Sequence, residues 1–427
     1  MQPWFIGAKL GIFIHWGIYS VKGVVESWPF FNDEMTWDAY MAQLGGFTAK
    51  RYDPGAWAKL FQDCGARYAV LTTKHHDGVA LWDTELSDLN VVERTPAGRD
   101  LVGPFCAALR KRGMKVGLYF SHLDWSHPDY ATIFNEPFPE EPWRSKKWAY
   151  PQPPKGAEPE RWEAFLRFHR GQLKELCTRY HPDLLWFDGD WDRTDAAWRM
   201  AELREQLHRW APGVILNSRM KGHGDYETPE QGQPMTAPAG ATFEYCVTLN
   251  DSWGWRPSDT NYKPIDRLIR LFVETVSMGG NLLLGIGPKP DGTFSAQQTR
   301  YLKALGAWNR RHGEAVFGTV AGLPHGHHYG PSTLSADRKT LYLFLFDPPR
   351  HGVVLKGLRT KVRRASLVGA RGKLRFTQGK PAVHGVPSPV WIGVPTRGLD
   401  KHCAVVKLEL DGPLVLYSGE GSIITSN

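Results

Sequence analysis

The sequence predicts an α/β protein: a (β/α)8-like (TIM-type) barrel over residues 1–320, followed by a C-terminal β-sandwich domain over residues 321–427. In the first three quarters of the chain, short apolar runs that end in polar residues alternate with helical segments, as in a parallel sheet with helical crossovers. After Gly318 the helical periodicity stops, and β-like runs lie between Gly and Pro turns. The 427 residues, 42% of them hydrophobic, can bury one large core and a smaller second one.

The first strand begins at Leu10 and ends in His15 and Trp16. The elements that follow it are a helix over Tyr52–Cys64 stopped by Gly65, a strand over Tyr68–Thr73 that runs into Lys74-His75-His76-Asp77-Gly78, a helix from Asp100 to Arg112, and a strand over Lys115–Ser121 that ends in His122 and Asp124. Each of these strands therefore delivers histidine at its carboxyl end.

The stretch Leu184-Leu185-Trp186-Phe187-Asp188-Gly189 is an apolar run that ends in a carboxylate. In parallel sheets, side chains at the carboxyl ends of strands point into the binding cleft, and Gly189 lets the backbone turn away from Asp188. Asp188 alone is also compatible with a simple cap on the helix that follows. The other strands repeat the arrangement, which favours a site.

The rest of the barrel is less regular. The predicted elements are a long cleft-side loop over 131–160, a helical stripe over 162–176, a helix over 196–210, a strand over 214–219 that ends in Arg219, a possible strand over 243–248 that carries Glu244, the last strand over 281–286 and a helix over 295–311. Residues 220–241 are rich in Gly, Pro and polar residues, which predicts a mobile loop that brings Glu230 to the site. The C-terminal β-like runs are 341–346, 353–355, 365–367, 405–410 and 414–416.

Composition excludes several classes of protein. The formal charge of +8 comes from scattered Lys and Arg, with a modest cluster at Lys361, Arg363, Arg364 and Arg371, so we expect no nucleic acid partner. The five cysteines form no CxxC pair, which predicts neither disulfides nor a zinc site. No apolar run of membrane-spanning length and no signal sequence is present, which predicts no membrane association and a cytoplasmic location, or a periplasmic or secreted one if a signal peptide was removed.

The chemistry follows from the polar groups near the strand ends: His15, His75, His76, Asp188, Arg219, Glu230 and Glu244. A metal site is disfavoured because no two of the histidines have i, i+4 spacing and adjacent His75 and His76 on a strand would face opposite sides. A serine hydrolase lacks its Gly-x-Ser-x-Gly elbow. What remains is a pair of carboxylates with neutral donors among the 18 tryptophans, the set that retaining glycosidases use. We expect no metal, no cofactor, and neutral histidines that donate to sugar hydroxyls.

Six motifs resemble those of the α-L-fucosidases of glycoside hydrolase family 29, in order over about the first 320 residues. They are Ala8 to Gly17, Lys74-His75-His76-Asp77-Gly78, Leu185-Trp186-Phe187-Asp188-Gly189, Gly224 to Glu230, Ser252-Trp253-Gly254-Trp255 and Gly279-Gly280-Asn281-Leu282-Leu283-Leu284. The resemblance implies a retaining exo-α-L-fucosidase that acts on a fucosylated oligosaccharide or glycoconjugate. It implies that Asp188 is the nucleophile, that His15, His75, His76, Trp186 and Arg219 line the fucose pocket, and that Trp253 stacks on the sugar near its methyl group.

Two parts of the resemblance leave alternatives open. The family usually has Glu-Trp-Tyr where this chain has Glu26-Ser27-Trp28, so either Glu26 or Trp28 contacts the sugar hydroxyls. The acid/base is Glu230, on the Thr-Pro-Glu match, or Glu244.

An α-L-galactosidase is a related alternative function, since an apolar pocket rejects an added hydroxyl only weakly. A sugar-binding protein without catalysis is disfavoured by the presence of both Asp188 and an acid candidate.

Overall fold

The computed structural model of the chain describes residues 1–32, 34–130, 159–238, 242–380 and 386–419. Nearly all of the loop predicted over 131–160 therefore lies outside the described residues. No helix among the described residues is long and apolar enough to cross a membrane. All five cysteines are buried and unpaired.

Among the described residues, seven parallel strands form the barrel sheet. They are β1 (Leu10–Ile14), β2 (Tyr68–Lys74), β3 (Lys115–Ser121), β4 (Leu184–Asp188), β5 (Ile215–Leu216), β6 (Glu244–Thr248) and β7 (Asn281–Ile286). Their order across the sheet is β5-β4-β3-β2-β1-β7-β6. Every residue of β1, β2, β4, β6 and β7 is buried, as expected for a parallel sheet that is covered on its outer face and filled on its inner one.

The barrel helices are α1 (Pro3–Ile6), α2 (Trp28–Phe31), α3 (Trp37–Met41), α4 (Pro54–Cys64), α5 (Val91–Arg94), α6 (Val102–Lys111), α7 (Pro159–Tyr180), α8 (Asp195–Trp198), α9 (Met200–Trp210), α10 (Ile265–Ser277) and α11 (Ala296–His312). Local sequence explains their ends. Helix α4 starts with Pro54 and stops at Gly65, which adopts a φ of 98° that costs glycine little. Helix α11 begins with a capping box between Ser295 and Gln298.

Residues 225–231 fill the gap between the edge strands β5 and β6. The Asp225 amide donates to the Leu216 carbonyl at 2.7 Å on one side. On the other side, the Cys246 amide donates to the Pro229 carbonyl at 3.0 Å and the Gln231 amide to the Cys246 carbonyl at 3.0 Å. The segment thus closes the barrel wall without forming a regular strand. The predicted mobile loop is wrong for these residues, because backbone hydrogen bonds tie the chain on both sides of Glu230 to β6.

The described part of the C-terminal region forms two antiparallel sheets. Their strands are β8 (Thr319–Ala321), β9 (Ser332–Ser335), β10 (Thr340–Leu345), β11 (Val353–Leu355), β12 (Val362–Leu367), β13 (Phe376–Gln378), β14 (Val390–Ile392) and β15 (Ala404–Leu410). The orders are β12-β15-β10-β9-β8 and β11-β14-β13. Leu343 and Val406 of one sheet share a buried apolar core with Leu355 and Ile392 of the other. The predicted barrel with a C-terminal β-sandwich is confirmed, although the run 414–416 contributes only an isolated bridge, between Leu416 and Leu358.

The predicted boundary between residues 320 and 321 falls inside β8, which pairs with β9 of the C-terminal sheet. We therefore propose that the C-terminal unit begins at Thr319. Its five-stranded sheet also packs on the barrel, because the indole of Trp308 in α11 donates to the Cys403 carbonyl at 3.0 Å. Unfolding of the isolated segment 319–427 tests the proposal: a cooperative transition is expected if this unit folds independently.

Candidate active site

A cavity of about 300 Å³ opens at the carboxyl ends of the barrel strands. This volume lies at the lower end of the range for small-molecule sites. Ten of the eleven predicted site residues line it: His15, Glu26, Trp28, His75, His76, Trp186, Asp188, Arg219, Glu230 and Trp253. Seven further residues that the sequence did not predict as site residues also line it: Phe13, Phe31, Tyr119, Leu123, Trp125, Trp191 and Asp192.

Asp188 is the last residue of β4 and keeps 9% of its surface exposed, toward the cavity. Gly189 has a φ of 85°, and a Cβ there would lie 2.4 Å from Leu123, so only glycine fits this turn. The Tyr119 hydroxyl donates to Asp188 Oδ2 at 3.0 Å and Arg219 Nη1 donates to Oδ1 at 2.5 Å. Both donors stabilise the charged carboxylate and fix its direction.

Arg219 connects the two candidate catalytic carboxylates. One terminal nitrogen of its guanidinium contacts Asp188 and the other contacts Glu230 Oε2. The guanidinium lies over the ring of Trp186, 4.6 Å from the centroid. Because the guanidinium is planar, its two terminal nitrogens bring the two carboxylates to neighbouring positions at the cavity.

Two buried histidines support the backbone of Arg219. His122 Nε2 lies 3.1 Å from the Arg219 carbonyl, which can only accept, and His122 Nδ1 lies 3.1 Å from His169 Nε2. Arg170, which can only donate, lies 3.2 Å from His169 Nδ1. The donor at one end of this hydrogen-bond series and the acceptor at the other fix the tautomers of both histidines: each donates in the direction of the Arg219 carbonyl. Burial lowers the pKa of His122 to about 3 and that of His169 well below its ordinary value, in agreement with neutral rings.

His75 and His76 both line the cavity, contrary to the predicted alternation. Strand β2 has a register shift between Thr72 and Lys74, and the two histidines follow the strand in a turn rather than lying on it. A register shift of this kind re-aims the side chains at a strand end. The ring centroids are 4.2 Å apart. Burial lowers the pKa of His75 well below its ordinary value and that of His76 to about 3, so both are neutral.

The hydrogen bonds of His76 also determine what it offers to a ligand. The Ser121 hydroxyl donates its single proton to the Leu123 carbonyl at 2.8 Å. It therefore accepts from His76 Nδ1, 2.6 Å away, and Nε2 carries the lone pair. His76 thus presents an acceptor to the cavity, whereas the sequence predicted a donor. His15 Nδ1 is buried and has no partner among the described residues, so a ligand hydroxyl can bond there.

Glu26 accepts the backbone N–H of Gly254 at 2.5 Å and is 2% exposed. Burial raises its pKa from 4.5 to about 7. The folded state therefore holds a proton on Glu26 that the unfolded state releases between about pH 4.5 and 7, so this residue makes the protein less stable as pH rises through that interval.

We expect Glu26→Gln to remove this pH dependence. Near pH 4.5 the variant and the wild type should unfold at similar urea concentrations, whereas at pH 8 the variant should be more stable by up to about 3 kcal/mol. Urea unfolding at both pH values measures the difference, with the exposed Glu93→Gln as the matched control. A variant less stable than the wild type by the same amount at both pH values would contradict the expectation.

Glu244 does not reach the cavity, contrary to its predicted role as a substrate contact or alternative acid/base. It is the first residue of β6, so it lies at the amino end of a strand whose carboxyl end faces the cleft, and it is fully buried. Its carboxylate accepts from the Tyr68 hydroxyl, from the Trp186 indole at 2.9 Å and from the Tyr226 hydroxyl at 3.4 Å. Glu244 therefore fixes the indole of Trp186 from the amino-end side of the barrel, opposite the cavity.

Tyr119 lies on the inner face of β3, with its ring stacked on Trp186 at 5.6 Å between centroids. We expect Tyr119→Phe to lower kcat/KM by about tenfold or more, because a hydrogen bond to a charged group contributes about 1.5–3 kcal/mol. Tyr52→Phe is the control: its hydroxyl donates to the Leu101 carbonyl, away from the cavity. Equal effects in both variants would show that only stability had changed.

His75, His76 and Asp188 present three potential metal ligands within 4.8 Å of one another. The Arg219 guanidinium already contacts Asp188, and its positive charge opposes a cation at this position. We expect the purified protein to contain no stoichiometric metal and to keep its activity after chelation. Elemental analysis and an assay before and after EDTA treatment measure this, and loss of activity that zinc restores would contradict it.

The fold and the site define a glycoside hydrolase: a parallel barrel whose strand ends place two carboxylates in an aromatic cavity. The family model described as alpha-L-fucosidase matches residues 1–314, and the chain belongs to that family. The tissue α-L-fucosidase of Mus musculus is 31% identical over 410 residues, which cover 88% of this chain and 85% of the relative. The plasma α-L-fucosidase of Homo sapiens is 30% identical over 430 residues, covering 93% of this chain and 85% of the relative.

Solved structures of α-L-fucosidases have the same fold. The α-L-fucosidase isoenzyme 1 of Paenibacillus thiaminolyticus superposes with a TM-score of 0.83 at 31% identity, covering 96% of this chain and 98% of that one. A Bacteroides thetaiotaomicron α-L-fucosidase, trapped as a covalent intermediate with 2-fluoro-fucosyl fluoride, gives a TM-score of 0.82 at 26% identity and covers 95% of each chain.

Proposed function

We propose that this chain is a retaining, exo-acting α-L-fucosidase that removes terminal α-L-fucosyl residues from oligosaccharides or glycoconjugates by double displacement. The observation that carries the proposal is the joint binding of Asp188 and Glu230 by Arg219 on the wall of a cavity of small-ligand size. Double displacement needs two carboxylates on opposite sides of the scissile bond, one as nucleophile and one as acid/base.

In the first step Asp188 attacks the anomeric carbon and forms a covalent fucosyl ester. Its position favours this role, because the carboxylate is aimed by Tyr119 and Arg219 and sits on a rigid strand end. Glu230 protonates the departing oxygen as its bond breaks. In the second step the ionised Glu230 takes a proton from water, which attacks the ester from the side that the aglycone left.

The remaining contacts bind the sugar. The acceptor on His76 Nε2 suits a hydroxyl that also approaches Asp188 Oδ2, since the two atoms are 3.7 Å apart. Phe13 and Trp253, with ring centroids 5.5 Å apart, give the cavity an apolar wall against which the methyl group of fucose can pack. An L-galactosyl unit would bury a hydroxyl there, so we place α-L-galactosidase activity second.

An assay with 4-nitrophenyl α-L-fucoside and 4-nitrophenyl α-L-galactoside tests the function. We expect hydrolysis of both, with kcat/KM higher for the fucoside by about 10- to 100-fold. Proton NMR of the first turnovers should show α-L-fucose before mutarotation. A first-formed β anomer would show inversion, and a protein that binds fucose but hydrolyses neither glycoside would be a sugar-binding protein.

We also propose a cytosolic location, on the basis of the five unpaired cysteines. From the composition of the sequence we further propose that neither nucleic acid nor a membrane is a partner. Cell fractionation tests this, and recovery of the protein from the medium or periplasm would overturn it.

A further inference from the structure

The net positive charge of the chain arises in its C-terminal quarter, although Lys and Arg are scattered along the whole chain. Residues 321–427 contain fifteen Lys or Arg against six Asp or Glu, so their net charge of +9 exceeds the +8 of the whole chain, and residues 1–320 are close to neutral. Between residues 348 and 399 there are eleven Lys or Arg and no Asp or Glu. A field of one sign over so short a stretch attracts anions.

This basic stretch includes the three-stranded sheet of β11, β14 and β13. Trp391 lies at the centre of that sheet, opposite Val354 of β11 and Thr377 of β13. Its neighbours Val390 and Ile392 point into the sandwich core, so Trp391 points outward, and 53% of its surface is exposed. Trp391 and Tyr329, which is 90% exposed, are the two exposed Phe, Tyr or Trp side chains among the described residues.

Two cations flank Trp391 on the same face. Lys356 follows β11 and Arg375 precedes β13, two residues from Val354 and Thr377, and both side chains are exposed. Because β11 and β13 are each antiparallel to β14, the two cations lie diagonally across Trp391. Lys356 Nζ is also 5.8 Å from the ring of Tyr329. Neither cation forms an ion pair within the part of the chain that the structure describes, whereas Arg364 is 4.0 Å from Glu409.

We propose that this face of the C-terminal unit, defined by Trp391, Lys356, Arg375 and Tyr329, binds an acidic glycan chain, sulfated or carboxylated. An exposed indole offers a flat apolar surface to the face of a sugar ring, and flanking Lys and Arg pair with the anionic groups of that chain. This charge complementarity explains why the outer face of the sheet combines an exposed tryptophan with cations, in a stretch of sequence without Asp or Glu.

The choice of a glycan over a nucleic acid rests on the proposed function, because a fucosidase gains from contact with the polymer that carries its substrate. Binding at the C-terminal unit holds the barrel near successive fucosyl groups and raises their effective concentration. The enzyme then acts better on a polymer at low concentration, while a small soluble substrate gains nothing from the surface.

The test measures binding of the full-length protein to dextran sulfate, polygalacturonate, neutral dextran and single-stranded poly(dT) by affinity electrophoresis or calorimetry. We expect binding to at least one acidic glycan, none to neutral dextran, and loss of binding at about 1 M salt, where the Debye length falls to about 3 Å. Trp391→Thr, which keeps a strand-forming residue, should weaken binding by about fivefold or more. Lys356→Gln with Arg375→Gln should weaken it by about tenfold or more.

The matched control removes two cations elsewhere: Arg300→Gln with Lys303→Gln, both exposed on α11. It should bind within about twofold of wild type, and all variants should hydrolyse 4-nitrophenyl α-L-fucoside at the wild-type rate.

Equal weakening by the control would show a non-specific charge effect and overturn the proposal, as would tighter binding to poly(dT) or equal binding to neutral dextran. So would a wild-type dimer that Trp391→Thr converts to a monomer with unchanged glycan binding. Because binding is measured without turnover, a protein that binds acidic glycan but hydrolyses no fucoside would contradict the proposed function and leave this inference standing.

Discussion

Replacement of Asp188 by Asn is expected to lower turnover of 4-nitrophenyl α-L-fucoside by about 10⁴-fold or more, because the amide cannot form the fucosyl ester. Fucose binding should remain, since Asn keeps the shape and can still accept from Tyr119. Tryptophan fluorescence is a suitable readout of binding, because five tryptophans line the cavity. Incubation of the wild type with 2-fluoro-fucosyl fluoride should add one fluorofucosyl group to the peptide that contains Asp188, and the variant should remain unlabelled.

The matched control is Asp190→Asn. Asp190 is two residues further along and accepts the Lys221 amide at 2.9 Å, outside the cavity. It should change turnover by less than about threefold. Wild-type turnover in Asp188→Asn, or labelling of a peptide without Asp188, would assign the nucleophile elsewhere.

The sequence was sufficient for the parts of the site that depend on local chain direction. Parallel strands deliver their carboxyl ends to one edge of a sheet, so apolar runs that end in His15, His75 or Asp188 converge whatever the details of packing. Glu244 shows the limit of this argument: it lies on a barrel strand as predicted, but at the amino end, and one strand length separates the two ends. Where a strand begins and ends depends on its pairing partners, which the local sequence does not specify.

Tyr119 was missed for a different reason. It lies within β3 rather than at its end, and nothing in the run Lys115–Ser121 distinguishes an inward tyrosine that touches Asp188 from one that only packs. Alternation along β3 placed it on the same face as Gly117 and Ser121, and contact with Asp188 follows only from the pairing of β3 with β4. Long-range pairing of this kind leaves no local signal.

Residues 220–241, which include 225–231, are predicted to form a mobile loop because the stretch is rich in Gly, Pro and polar residues. The hydrogen bonds that fix this segment come from β5 and β6. Residues 225–231 lie outside both strands, so the local sequence pattern does not predict these bonds. Proline is acceptable at position 229 because the bonds there use its carbonyl. Glu230 is therefore presented by the barrel wall, and its side chain, about a third exposed, is the part free to move between Arg219 and the substrate.

Glu230→Ala is expected to reduce hydrolysis of fucosyl disaccharides by about 10³-fold or more and that of 4-nitrophenyl α-L-fucoside much less, because only the poor leaving group needs a proton as its bond breaks. With the good leaving group, the fucosyl ester should accumulate and produce a burst of nitrophenolate, since water now lacks its base. Stopped-flow absorbance measures the burst, and steady-state assays on both substrates measure the leaving-group dependence.

Azide distinguishes Glu230 from Glu244 and reports which side of the sugar has lost its carboxylate. In Glu230→Ala, azide should restore turnover of the aryl fucoside by attacking the ester from the aglycone side, which gives α-L-fucosyl azide. In Asp188→Gly, azide occupies the nucleophile's side and should give the β anomer.

Glu244→Gln is the matched control. It should lower activity by disturbing Trp186 and should show no response to azide, because the Glu244 carboxylate is fully buried and bonded to the indole. If azide accelerates Glu244→Gln and leaves Glu230→Ala unchanged, the two glutamates exchange roles, and the contact between Glu230 and Arg219 is only a structural ion pair.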